Sequence, residues 1–88
     1  MKALTSLGKC FMQEKKYPLA RRQFEKAVPK LNAHEQVDLF KDVHYWLGRL
    51  CEASSDHETA ENHYGEVLAV DYEYRDCLQR LEKMQGGE

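Results

Sequence analysis

The chain has 88 residues, of which 42% are hydrophobic and 32% charged, with five glycines and two prolines. This is one small domain with a thin core, since a chain of this size buries roughly 60–65% of the surface it exposes when unfolded. It is too apolar for disorder and too poor in Gly and Pro for a loop-rich fold. The net charge of −2 is unevenly spread: residues 1–32 hold eight Lys/Arg and two acids, a balance of +6, while residues 33–88 hold five Lys/Arg and thirteen acids, a balance of −8.

The elements read in chain order as five helices. Leu4, Leu7, Cys10 and Phe11 follow a 3.6-residue period, which predicts a first helix over about 2–14. Lys15-Lys16 is a turn, and Pro18 stands at the opening of a second helix, where a proline lacks nothing by having no N–H. Leu19, Ala20, Phe24, Ala27, Val28 and Leu31 form its apolar stripe, and Pro29 must kink or end it. Asn32-Ala33-His34-Glu35 has capping-box spacing, so the third helix is expected to run from there to about Ala53, with Val37, Phe40, His44, Leu47 and Cys51 on one face. Ser54-Ser55-Asp56 is a turn in which Ser55 or Asp56 caps the fourth helix, whose stripe is Ala60, Tyr64, Val67 and Leu68. Asp71-Tyr72-Glu73 breaks it. A fifth helix carries Tyr74, Cys77, Leu78, Leu81 and Met84, and stops at Gly86-Gly87. No segment alternates as a strand does. Short turns between helices imply antiparallel neighbours.

Sliding the sequence by 40 places superimposes Leu7-Gly8-Lys9 on Leu47-Gly48-Arg49, Ala20 on Ala60, Phe24 on Tyr64 and Val28 on Leu68. The two units read Leu4-x2-Leu7-Gly8-x2-Phe11 with Ala20-x3-Phe24-x2-Ala27, and His44-x2-Leu47-Gly48-x2-Cys51 with Ala60-x3-Tyr64-x2-Val67. This pattern resembles the tetratricopeptide repeat, in which a small residue lets two helices approach and an aromatic fills the gap beside it. The resemblance implies an all-α fold of antiparallel hairpins stacked as a short right-handed superhelix: repeat one over 1–32, repeat two over 33–72 with an extended first helix, and a capping helix over 73–85. Two features depart from the family. The spacing is 40 rather than about 34, and Asn32 and Tyr72 stand where a proline usually follows the second helix of a unit.

The resemblance further implies a protein–protein interaction module whose first helices line a concave groove that receives a peptide or protein segment. The groove-lining places fall on Thr5, Lys9, Tyr45, Trp46, Arg49, Gln79, Arg80 and Lys83, with Lys9, Arg49 and Lys83 at equivalent positions of the first, third and fifth helices. A basic line beside a tryptophan suits an acidic peptide, because Lys and Arg form charge-assisted hydrogen bonds and Trp supplies contact area. The two-carboxylate clamp of chaperone-binding members is not reproduced: Thr5, Lys9, Trp46, Asp76 and Arg80 occupy its places and Arg80 alone matches. A parent repeat protein of greater length is expected, because about three units are usually needed for stability. The charge split suggests a homo-oligomer as the alternative, with the basic second helix meeting the acidic fourth and fifth.

Other chemistries rank behind. No nucleophile has a base at motif spacing and no Gly-rich phosphate loop occurs, so no enzyme activity and no cofactor are expected. The odd count and wide spacing of Cys10, Cys51 and Cys77, with no CxxC, argue against a disulfide framework or zinc site and for a reducing, cytoplasmic setting in which all three are buried small hydrophobes. His34, His44, His57 and His63 form no cluster in the sequence, and His57 with Glu61 gives two metal ligands without a third, so no metal is expected. Lys15, Lys16, Arg21, Arg22, Lys26 and Lys30 are basic enough for phosphates, yet the whole chain is acidic and lacks a recognition-helix pattern, which places nucleic acid behind protein as a partner. No run approaches the ~20 apolar residues of a membrane span, and neither a signal peptide nor a membrane partner is expected.

Overall fold

The computed structural model describes residues 2–32 and 34–85, with side chains from residue 6 onward. It is all-helical: α1 (Lys2–Gln13), α2 (Tyr17–Ala27), α3 (Val37–Ala53), α4 (His57–Val70) and α5 (Cys77–Gln85), in a flat body of 36 × 30 × 19 Å. The pairs α1–α2 and α3–α4 are hairpins, α2 packs against α3, and α5 lies on α4. No described helix is long and apolar enough to cross a membrane.

The 40-residue repeat is written into the backbone. Lys15 and Ser55 both take the left-handed conformation, at φ 62° and 64°. The next residue of each turn donates its N–H five residues back at 2.8 Å, Lys16 to Phe11 and Asp56 to Cys51. Each hairpin then closes over a glycine. A Cβ on Gly8 would stand 2.8 Å from the Phe24 ring, and one on Gly48 would stand 2.5 Å from the Tyr64 ring. Ala20, Phe24 and Ala27 are fully buried, as are their counterparts Ala60, Tyr64 and Val67.

Two clusters make the core, with α3 between them. Val43, Leu47 and Leu50 pack with Ala20 and Phe24 of α2. On the other side, Tyr45 and Cys51 join Ala60, Tyr64, Val67 and Cys77. Half-buried Trp46 touches both clusters.

Several expectations need correction. The third helix begins at Val37, not at the capping box. The Asn32 side chain does accept the N–H groups of His34 and Glu35, at 2.8 and 3.0 Å. It closes a separate turn, however, because Gln36 leaves helical geometry at φ −124°, ψ 50° before α3 starts. Pro29 ends α2: the chain tightens into a 3-10 turn over Val28–Lys30 and then extends at Leu31. The fifth helix starts at Cys77 rather than 73, since Arg75 at φ 47° turns the chain first. Leu19 and Cys10, expected on apolar stripes, are exposed. Cys51 and Cys77 are buried, and burial pushes the Cys77 thiol up to about 11. Asp56 is the residue that caps α4, accepting from the Thr59 N–H at 3.4 Å. The Gly86-Gly87 stop lies outside the described residues.

Candidate functional site

Polar contacts tie α1, α3 and the segment around α5 to one another, and they involve some of the expected groove places. Lys9 of α1 pairs with Asp42 of α3 at 2.8 Å. Tyr45 of α3 donates its hydroxyl to Asp76, just before α5, at 2.6 Å. Arg80 of α5 bonds Glu52 of α3 at 3.3 Å and Asp76 at 3.0 Å. Glu52 also accepts the Tyr64 hydroxyl at 2.7 Å. Each of these carboxylates therefore serves two helices.

The contacts change the expected basic line. Lys9 and Arg80 have their charges answered by Asp42, Asp76 and Glu52. Among the described residues, Arg49 and Lys83 form no ion pair. The guanidinium of Arg49 lies 5.4 Å from the Trp46 ring centroid and 5.9 Å from that of Tyr45, within reach of the attraction between a cation and a π face.

Tyr45 is not a groove side chain. It is 3% exposed, and burial together with the bond to Asp76 raises its pKa. The same hydroxyl, with Arg80 assisting, holds the Asp76 carboxyl below its usual range. Trp46 remains half-exposed, with its indole N–H on Asp42 at 2.9 Å. It walls an apolar recess of about 280 Å³ with Lys9, Met12 and Gln13. A second recess of about 240 Å³ is polar and lined by Glu52, Asp76, Gln79, Arg80 and Lys83. Arg49 lines a third recess of about 290 Å³ with Glu52, Ala53 and Arg80. Thr5 lies outside the described side chains.

Two features escaped the sequence reading. Arg75 lies over Tyr45, Trp46 and Tyr74 at 5.2–5.6 Å from their centroids and reaches Asp42 at 3.6 Å. Its loop position gave no periodic signal. The other is a histidine pair. His44 and His63 meet Nδ1 to Nδ1 at 3.0 Å across α3 and α4, contrary to the expectation that the histidines stand apart. Burial, and then the neighbouring His44, push His63 down to about 4. Among the described residues no group of three His, Cys, Asp or Glu side chains is placed to hold a metal ion.

No protein-family model, no curated protein and no solved structure matches the chain.

Proposed function

We propose that this chain is a tetratricopeptide-like interaction module, without catalysis or cofactor, that receives an extended acidic protein segment along the face made by α1, α3 and α5. One observation carries the reading: Arg49 has no carboxylate partner among the described residues, lies over the Trp46 ring that walls the apolar recess, and lines a further recess with Glu52, Ala53 and Arg80. An apolar side chain of the partner fits beside Trp46 and Met12, while a carboxylate reaches Arg49 and Lys83 in charge-assisted contact. The buried Cys51 and Cys77 and the free Cys10 suit a reducing, cytoplasmic compartment.

The test is selection from a library of peptides, followed by titration of the enriched ones into the wild-type chain and the Arg49→Glu/Lys83→Glu variant. The variant is expected to keep its helical content and to bind at least tenfold more weakly. Equal affinity for the two chains would sink the reading.

A specific observation favours homo-oligomerisation as the second reading. Exposed Lys15, Lys16, Arg22, Lys26 and Lys30 crowd the first hairpin, and exposed Glu58, Glu66, Glu73 and Glu82 the remainder. Light scattering at low and high salt decides it, because contacts of this kind are screened by salt; a monomer under every condition removes the idea.

A further inference from the structure

We propose that the outer edge of the first hairpin, around Leu7 and Leu19, is a docking face for an amphipathic helix of the α2 kind that carries an acidic residue opposite Lys16. The proposal concerns a different surface from the groove and does not depend on it.

The molecule contains a worked instance of this interface. The second hairpin sits on α2 through Val43, Leu47 and Leu50, which pack with Ala20 and Phe24. The start of α4 joins the same contact, since Arg21 reaches Asp56 at 3.4 Å. His63, further along α4, lies in the field of Arg21 and Glu25 of α2. Moving back 40 residues maps Leu47, Leu50, Asp56 and His63 onto Leu7, Cys10, Lys16 and Gln23, while the counterpart of Val43 lies outside the described side chains; Leu19, in the place of Thr59, stands three residues beyond Lys16. No described helix covers the mapped face. Leu47 and Leu50 are 0% and 2% exposed, whereas their counterparts Leu7, at 43%, and Cys10 are exposed; Leu19 is 41% exposed. Leu19 adds an apolar side chain where the second hairpin has half-buried Thr59.

Charge narrows the occupant. In the internal interface α2 supplies the cation Arg21 and the seated hairpin supplies Asp56. In the first hairpin the place of Asp56 is taken by Lys16, whose ion pair among the described residues is with exposed Glu14 at 3.3 Å. The covering helix must therefore carry an acid where α2 carries Arg21. It must also carry a small–aromatic–small stripe like Ala20, Phe24 and Ala27 to lie close over the leucines. This is helix-in-groove recognition with anchors at i, i+4 and i+7. The α4 sequence has that composition, with Ala60, Tyr64 and Val67 on the stripe and Glu61 in the place of Arg21. In the intact chain that stripe is covered by α5, so α4 supplies a probe rather than the partner.

The experiment titrates a labelled, end-capped peptide of residues 56–71 into the full chain. Saturable binding is expected, with at least a tenfold loss for Leu7→Asp and for Leu19→Asp. Both positions are exposed, and circular dichroism checks that each variant folds. Lys16→Glu should weaken the native peptide, and a peptide carrying Glu61→Lys should recover the loss. The groove variant Arg49→Glu/Lys83→Glu should bind the peptide as the wild-type chain does. No binding to the wild-type chain, equal binding to both aspartate variants, or indifference to the charge swap would overturn the proposal. Self-association of the wild-type chain that Leu7→Asp abolishes would also overturn it, by making the occupant a second copy.

Discussion

Gly48 lies so close beneath the Tyr64 ring that a methyl group in place of its hydrogen would stand 2.5 Å from it. The equivalent distance from Gly8 to Phe24 is 2.8 Å. Both rings are fully buried and cannot swing away. Gly48→Ala should therefore destabilise the fold by about 1–3 kcal/mol, the usual cost of overpacking, despite the better helix propensity of alanine. Gly65→Ala should do the opposite. Nothing lies within 4 Å of a Cβ there, so propensity acts alone and stabilises by about 0.8–1 kcal/mol. Urea denaturation of the two variants checks the predicted difference in sign.

The two hairpin turns carry strain that a glycine relieves. Lys15 and Ser55 are L-residues at φ 62° and 64°, a conformation that costs a side-chain-bearing residue roughly 1–2 kcal/mol. Lys15→Gly and Ser55→Gly should each stabilise the fold by a net of about 0.5–1 kcal/mol, once the added freedom of the unfolded chain is set against the relief, and so raise the midpoint of thermal unfolding. A fall in either midpoint would mean that the original side chain stabilises the turn in another way.

The hairpins were legible in the sequence because their determinants repeat in register. Gly8 with Phe24 and Gly48 with Tyr64 state the close approach twice, and Ala20 and Ala60 state the flat surface beside it. The burial of Tyr45 is not legible in the sequence, because only the turn through Arg75 brings Asp76 to its hydroxyl. Such a turn has no period. The histidine pair was invisible for a related reason: His44 and His63 are 19 residues apart on different helices, and the repeat pairs His63 with Gln23 rather than with another histidine. Periodicity tells which face a residue takes, but not which neighbour it meets there.

The hydroxyl of Tyr45 and the carboxylate of Asp76 form the shortest contact between α3 and the segment leading into α5. Hydrogen bonds to a charged acceptor contribute about 1.5–3 kcal/mol. Tyr45→Phe should destabilise by the lower part of that range, because Asp76 keeps Arg80 at 3.0 Å. It should also alter the pH dependence. The folded-state pKa of Asp76 is depressed, so this contribution is present above the ordinary carboxylate range and is lost as pH falls through and below it. The wild-type chain should lose more stability than Tyr45→Phe between pH 5 and pH 3. Parallel pH profiles for the two would show that Arg80 alone sets the carboxyl.

The histidine pair makes a distinct prediction at milder acidity. With their Nδ1 atoms 3.0 Å apart, one ring must donate and the other accept, so the pair is built for neutral imidazoles. Burial lowers the pKa of His44, and burial with the neighbouring His44 brings His63 to about 4. Around them, Phe40 stacks on His44 with centroids 4.5 Å apart. Arg21 disfavours a second positive charge near His63, while Glu25 and Glu66 offset it in part. The unfolded chain takes up the His63 proton near pH 6.5 and the folded chain only near 4, and His44 shifts in the same direction. Stability is therefore complete above about pH 6.5, falls as pH drops through that value, and levels off near pH 4. The loss attributable to His63 should reach about 2 kcal/mol by pH 5. Urea denaturation between pH 7.5 and 4.5 measures it above the range where Asp56, Asp71 and Asp76, whose pKa values are all lowered, begin to contribute. His63→Gln should flatten the profile in that window, since an amide has no proton to take up; a variant as steep as the wild-type chain would place the acid sensitivity elsewhere.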